Sequence, residues 1–233
     1  MGSSRWRNGQ RKVRDILSEK YPPGQPAHHD AIIDDDPPDV HPVLFESLDA
    51  GMIRSAALHT SGAAGPSGLD ALSWRRLCTS FKSASLELCH SLAATARRLC
   101  TELVDPASIA PLMANRLIAL DKNPGVRPIG IGDTARRIIA KAILNTTRQD
   151  IQEVAGSIQL CAGQISGIEA AVHAVRTLFQ REDTEALLLV DATNAFNSLN
   201  RQTALHNIQK LCPSIATALI NTYRAPSELF VDG

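Results

Sequence analysis

Asn115-Arg116-Leu117-Ile118-Ala119-Leu120-Asp121-Lys122-Asn123-Pro124-Gly125-Val126-Arg127-Pro128-Ile129-Gly130-Ile131 is the stretch from which the rest of the chain can be placed. Asn115 to Leu120 is strand-like. Asp121 to Gly125 gathers turn-forming residues, and Val126 to Ile131 is extended again, so the stretch predicts a β-hairpin. Proline has no N–H to give to a ladder, so Pro128 must lie on an edge strand or at a bulge. Downstream, Asp133 or Thr134 can cap a helix that carries Ala135, Ile138, Ile139, Ala142 and Ile143 on one side. Ser166 with Glu169 reads as a capping box for a second helix, roughly Gly167 to Phe179.

Beyond that helix, Ala186-Leu187-Leu188-Leu189-Val190 is a continuous apolar run ended by Asp191, the pattern of a strand covered on both faces. Helices are expected from near Asn200 and near Pro213, then a strand at Leu229–Val231. Asp232-Gly233 resembles the start of a further hairpin turn. Upstream, Val43, Leu44, Leu48, Met52 and Ile53 suit a short amphipathic helix within 42–59. Ser61 to Gly68 forces a loop, which is not a phosphate-binding P-loop because no Lys-Ser/Thr follows its last glycine. Trp74 to about Val104 reads as one or two helices, with Leu77, Phe81, Leu86, Leu88, Leu92 and Leu99 as apolar faces, and Pro106 and Pro111 mark the exit. Helices, a buried strand with an acidic end, and more helices imply an α+β layer.

The 233 residues suffice for one good-sized domain or two small ones, and 44% hydrophobic with 21% charged residues allows a real core. Basic and acidic residues balance at 24 each. A self-sufficient nucleic-acid binder carries a positive surface, so any template contact must come from local clusters or from parts outside these residues. Arg5, Arg7, Arg11, Lys12 and Arg14 form one such cluster, whose plainer reading is a solvated basic start. Residues 1–41 are expected to be weakly ordered, since Pro22, Pro23, Pro26, Pro37 and Pro38 break any helix. Asp34–Asp36 and His28-His29 in that segment read as solvated loop rather than metal site, because adjacent side chains diverge.

The five cysteines make no CxxC pair. Cys78, Cys89 and Cys100 recur every 11 residues and would share one face of an unbroken helix; Cys161 and Cys212 stand apart. Buried free thiols, not a zinc site, are expected. The N-terminus has no apolar signal-peptide core, and no apolar run reaches the roughly 18 residues of a membrane span, so an intracellular, non-membrane protein is expected.

Asp191 is the sharpest candidate for chemistry. A carboxylate at the end of a buried strand is held rigidly and suits a hard divalent cation. Phosphoryl transfer to a 3′-hydroxyl uses two metals bridged by carboxylates from different strands, so one aspartate does not suffice. From spacing alone, a metal ligand and a strand-end residue facing solvent stand level. Lys122 and Arg127, taken alone, are two surface cations beside a turn.

Leu188-Leu189-Val190-Asp191-Ala192-Thr193-Asn194-Ala195-Phe196-Asn197-Ser198-Leu199 resembles motif A of reverse transcriptases, most of all those of non-LTR retrotransposons. The resemblance implies that Asp191 binds catalytic magnesium and that Phe196 lies beneath the incoming sugar as a steric gate. The family pattern has aspartate where this chain has Asn197. Ala64-Gly65-Pro66-Ser67-Gly68-Leu69-Asp70 with Trp74 resembles the motif that precedes the fingers in non-LTR enzymes. Arg116 to Lys122 followed by Val126-Arg127-Pro128-Ile129 is similar to the fingers hairpin, which implies that Lys122 and Arg127 face the triphosphate. A mobile point charge with a rigid guanidinium fork can neutralise β and γ phosphates. Gln159-Leu160-Cys161-Ala162-Gly163 with Ser166-Gly167 is similar to the segment before motif A, so Gln159 and Gly163 are expected to face template. Arg136, with Arg137 and Lys141 on the same helix, is expected either to touch template phosphate or to line a solvated face.

The resemblance spans about residues 60–233 and implies an α+β fold: fingers and partial palm of a right-hand polymerase, helix-rich with a small incomplete antiparallel sheet. It divides the chain into a weakly ordered 1–41, a helical extension over 42–110, fingers over 111–180 and a partial palm over 181–233. Motif B, the paired aspartates of motif C and the thumb do not occur within these residues. The expectation is a fragment of an RNA-directed DNA polymerase, inactive alone, with an exposed apolar edge beside the Leu187–Val190 strand. Magnesium, dNTP and an RNA or DNA template-primer are expected only for a complete protein. A non-catalytic nucleotide- or nucleic-acid-binding module and a decayed element without activity remain as alternatives.

Overall fold

Asp49, Asp70, Asp105, Asp133 and Asn200 each stand one residue before a helix, and each side chain accepts a hydrogen bond from a backbone N–H of the first turn. Those caps satisfy donors that a helix leaves unpaired and so set where the helices begin. The computed structural model describes residues 7–8, 11–21, 40–122, 126–157, 159–160, 164–192 and 195–231. In chain order these form β1 (Arg7–Asn8), β2 (Arg11–Lys12), α1 (Val13–Glu19), a 3-10 turn (Pro42–Phe45), α2 (Ala50–Leu58), α3 (Ala71–Thr79), α4 (Ser83–Thr101) and α5 (Pro106–Met113). Then follow β3 (Asn115–Asp121), β4 (Val126–Gly132), α6 (Thr134–Thr146), α7 (Arg148–Ala155), α8 (Gly167–Phe179), α9 (Ala195–Ser198), α10 (Arg201–Leu211), α11 (Pro213–Tyr223) and β5 (Leu229–Val231).

The core lies among α2, α3, α4, α6 and α11. Phe45, Leu48, Ile53 and Ile138 are its largest fully buried side chains, each worth about 1.5–3 kcal/mol of transfer free energy. Around them the helices meet through small residues: Ala56, Ala57, Ala93, Ala96 and Ala142 are buried. The faces expected of Ala135, Ile138, Ile139, Ala142 and Ile143 are all inside.

The sheet has the order β4-β3-β5. β3 and β4 pair antiparallel from Asn115↔Gly132 to Asp121↔Val126, as the hairpin predicts, and Pro128 sits on the edge strand opposite Ala119. On the other side of β3, β5 runs parallel, with Asn115↔Leu229 and Leu117↔Val231. The fold is therefore helix-rich α+β with a small, unclosed sheet, but the sheet is mixed rather than antiparallel. A parallel neighbour requires a long crossover, and the helical chain from α6 to α11 supplies it.

Several local expectations are corrected. Ala186–Val190 is not a buried strand: residues 185–192 carry no strand, and Leu188, Leu189 and Val190 are 85, 82 and 83% exposed. A strand exists only with a partner ladder, and among the described residues none pairs with this run: the sheet consists of β4, β3 and β5. The Ser166–Glu169 capping box does not form. Ser166 lies in the left-handed region at φ 53°, whereas a cap needs extended backbone, and its side chain makes no capping hydrogen bond. Pro106 opens α5 at the first turn instead of closing α4; its missing N–H is one that a helix start leaves free anyway. The chain breaks between α3 and α4, where Lys82 adopts φ 49°, so Cys78 lies on a different helix from Cys89 and Cys100. All three thiols are nevertheless free and buried.

Within the N-terminal segment, Val13–Glu19 is helical, lies against β4 and buries Leu17. The expected turn over 123–125, Cys161, Gly163, Asp34–Asp36, His28, His29 and Asp232-Gly233 lie outside the described residues. Among the described residues no helix is long and apolar enough to cross a membrane.

Candidate functional site

The β3–β4 register decides how Lys122 and Arg127 relate. Arg127 lies opposite Leu120, and Lys122 is two residues beyond Leu120. Side chains two apart in an extended strand share a face, and directly opposite residues share it too. Both cations therefore stand on one face at the Asp121–Val126 end of the hairpin, and both are exposed. Among the described residues neither has an ion-pair partner.

The segment from Ser61 to Asp70 is docked on the start of α6 by side-chain and backbone contacts. Asp133 both caps α6, accepting from Ala135 N at 3.0 Å, and accepts from Ser67 N at 3.2 Å. Thr134 Oγ1 donates to Leu69 O at 2.8 Å. Gly65 lies so close that a Cβ there would sit 2.6 Å from Asp133 Cα and 2.7 Å from its N, a distance only glycine permits. The segment ends on Asp70, whose carboxylate caps α3 and is held below its usual range chiefly by the Ser73 backbone N–H and the Ser73 hydroxyl.

The same docking employs the cations of α6. Arg137 spans Ser61 O (2.8 Å) and Ala63 O (2.5 Å), and Lys141 Nζ donates to His59 O (2.5 Å). Arg136 donates to Met113 O at 2.9 Å and to Asn115 Oδ1 at 2.7 Å, tying α6 to the start of β3. Burial pulls the Arg136 guanidinium down from its ordinary value, against the opposing pull of Tyr223 and Asp133. Arg136 thus braces the base of the hairpin whose far end carries Lys122 and Arg127.

Asp191 is exposed, at the end of the unpaired apolar run. Among the described residues no hydrogen bond or ion pair joins it to Lys122 or Arg127, and no three His, Cys, Asp or Glu side chains converge as a metal-binding group. As placed, Asp191 alone does not amount to a two-magnesium site. Phe196 belongs to α9, its side chain outside the described set, and the neighbouring Asn197 donates to Lys20 O at 2.9 Å, joining α9 to the end of α1. Gln159 is exposed.

Sequence reasoning missed Asn221, the most connected buried polar side chain among the described residues. It is 2% exposed on α11, accepts from Val104 N, and donates to Leu99 O and Glu102 O. An asparagine in an apolar helical run was the available signal, since a buried amide needs partners. Beside it, Pro106, Ile109, Ala110, Met113 and Pro226 line an open apolar depression of about 220 Å³ with no ionisable lining residue. No protein-family model and no curated protein matches the chain.

Proposed function

We propose that this chain is part of an RNA-directed DNA polymerase of the non-LTR retrotransposon type, comprising fingers and the beginning of the palm, and that it engages the triphosphate of a nucleotide without completing transfer. The observation that carries the reading is the braced hairpin, which presents Lys122 and Arg127 together, exposed and on one face. A point charge beside a planar fork suits a polyphosphate. The ordered run of motif resemblances from Ala64 to Leu199 supports the same assignment. After Asp191 the acidic residues are only Glu228 and Asp232, so the carboxylate pair that would complete a magnesium site is not among these residues.

The test is binding of a fluorescent dNTP by anisotropy, with Lys122→Ala and Arg127→Ala. Each charge-assisted phosphate contact removed should weaken binding about tenfold or more. Primer extension should not exceed that of an Asp191→Ala control. Binding indifferent to the double variant, or extension above that control, would overturn the proposal. The isolated, exposed placement of Asp191 favours a second reading, a nucleotide-binding module without chemistry. In that case affinity is the same with and without magnesium, and Asp191→Ala changes nothing.

A further inference from the structure

We propose that α8 is a self-pairing element, whose exposed apolar stripe packs antiparallel against α8 of a second copy of this chain. An isolated helix of about this length is marginal in water, and in proteins an amphipathic face is normally stabilised by packing. In α8 only Gly167 is buried. Ile168, Val172, Val175 and Phe179 recur at i, i+4, i+7 and i+11 and are 66, 60, 38 and 57% exposed, with Leu178 beside them at 52%. This is a core-type stripe that no described residue covers.

Charge selects the partner and its direction. Glu169 and Arg176 are seven residues apart, two helical turns, and so lie on one flank of the stripe. Both are exposed, and among the described residues neither has a hydrogen-bond or ion-pair partner. In a two-fold antiparallel pair each flank meets its own equivalent with direction reversed, as in any isologous interface. Glu169 then faces Arg176 of the second copy, and Arg176 faces its Glu169, while Ile168 meets Phe179 and Val172 meets Val175. A parallel pair would set this flank against Ala171 and Leu178 and leave both charges unmatched. The flank is self-complementary only in the antiparallel arrangement.

Sedimentation equilibrium of the full chain tests this, with Glu169→Lys, Arg176→Glu and the two combined. A monomer–dimer equilibrium is expected. Either single reversal turns two attractive contacts repulsive and should raise the dissociation constant about tenfold, while the combined swap should return it to within about threefold of the native value. Val172→Asp should abolish pairing yet leave the helical core intact by circular dichroism, since Val172 is outside that core. A monomer at every concentration would overturn the proposal. So would open-ended association indifferent to these charges, which would point to the Leu187–Val190 run instead, or a double swap no better than either single variant.

Discussion

Replacing Asn221 tests how the helical core is held. Its amide reaches across from α11 to the end of α4, donating to Leu99 O at 2.9 Å and Glu102 O at 2.7 Å while accepting from Val104 N at 2.9 Å. Those carbonyls belong to a helix end that has no internal partner for them. The bond to Leu99 O is fully buried, so its loss leaves an acceptor away from water, at about 1–3 kcal/mol. The other two are partly buried, and water can recover part of their loss, leaving about 0.5–1.5 kcal/mol each. Asn221→Ala should therefore cost about 2–6 kcal/mol, a large share of the roughly 5–15 kcal/mol typical of a folded domain. Asn221→Asp keeps the shape and the acceptor but loses both donors, and sets a carboxylate against two carbonyls. It should cost at least as much, which separates lost hydrogen bonds from lost volume. The assay is urea unfolding followed by circular dichroism, with the exposed Asn207→Ala as a control expected to stay within about 0.5 kcal/mol. If Asn221→Ala is destabilising but Asn221→Asp is neutral, the cost is one of packing and the reasoning fails; if both are neutral, it fails outright.

Gly65→Ala should destabilise by about 1–3 kcal/mol, because its Cβ would strike the Asp133 backbone and undock the loop. Gly68→Ala, at φ 75° with open space around it, should cost only the left-handed strain of about 1–2 kcal/mol and leave the loop in place; proteolysis between Ser61 and Asp70 separates the two. Arg137→Lys should increase cleavage there as well, since a lysine cannot span Ser61 O and Ala63 O as the guanidinium does. Burial pushes the Cys78 and Cys100 thiols up to about 12 from an ordinary 9.0, so both should resist iodoacetamide at pH 8 until the chain unfolds. Between pH 9 and 12 the unfolded chain has released these protons and the native chain has kept them. Stability should therefore fall as pH rises through that window, by at most about 1.4 kcal/mol per pH unit for each thiol. Cys100→Ala should flatten that slope in urea titrations, and an unchanged slope would count against the burial.

Where the sequence could be read, the cause was local. The hairpin followed from turn chemistry flanked by extended runs, and the edge position of Pro128 followed from its missing N–H. The α6 face was legible because its five apolar residues repeat at helical spacing. The failures were equally physical. Ala186–Val190 has the composition of a buried strand, but composition cannot supply the partner that makes a strand. Ser166 and Glu169 have the spacing of a capping box, but the left-handed backbone at Ser166 removes the geometry. For the candidate site, the residue types of Lys122 and Arg127 were visible and their shared face was not, because it depends on register.

By itself the sequence determined the starts of α6, α10 and α11, the two strands of the hairpin and the run of motif resemblances, properties set within a few residues of chain. Only the tertiary structure decided that β5 joins β3 in parallel, that Arg136, Arg137 and Lys141 brace a loop and a strand, that Asn221 closes the end of α4, and that the run before Asp191 stands in solvent. Each of these requires two segments distant in sequence to meet or fail to meet, and a backbone carbonyl or an open strand edge leaves no trace in the residues that will find it.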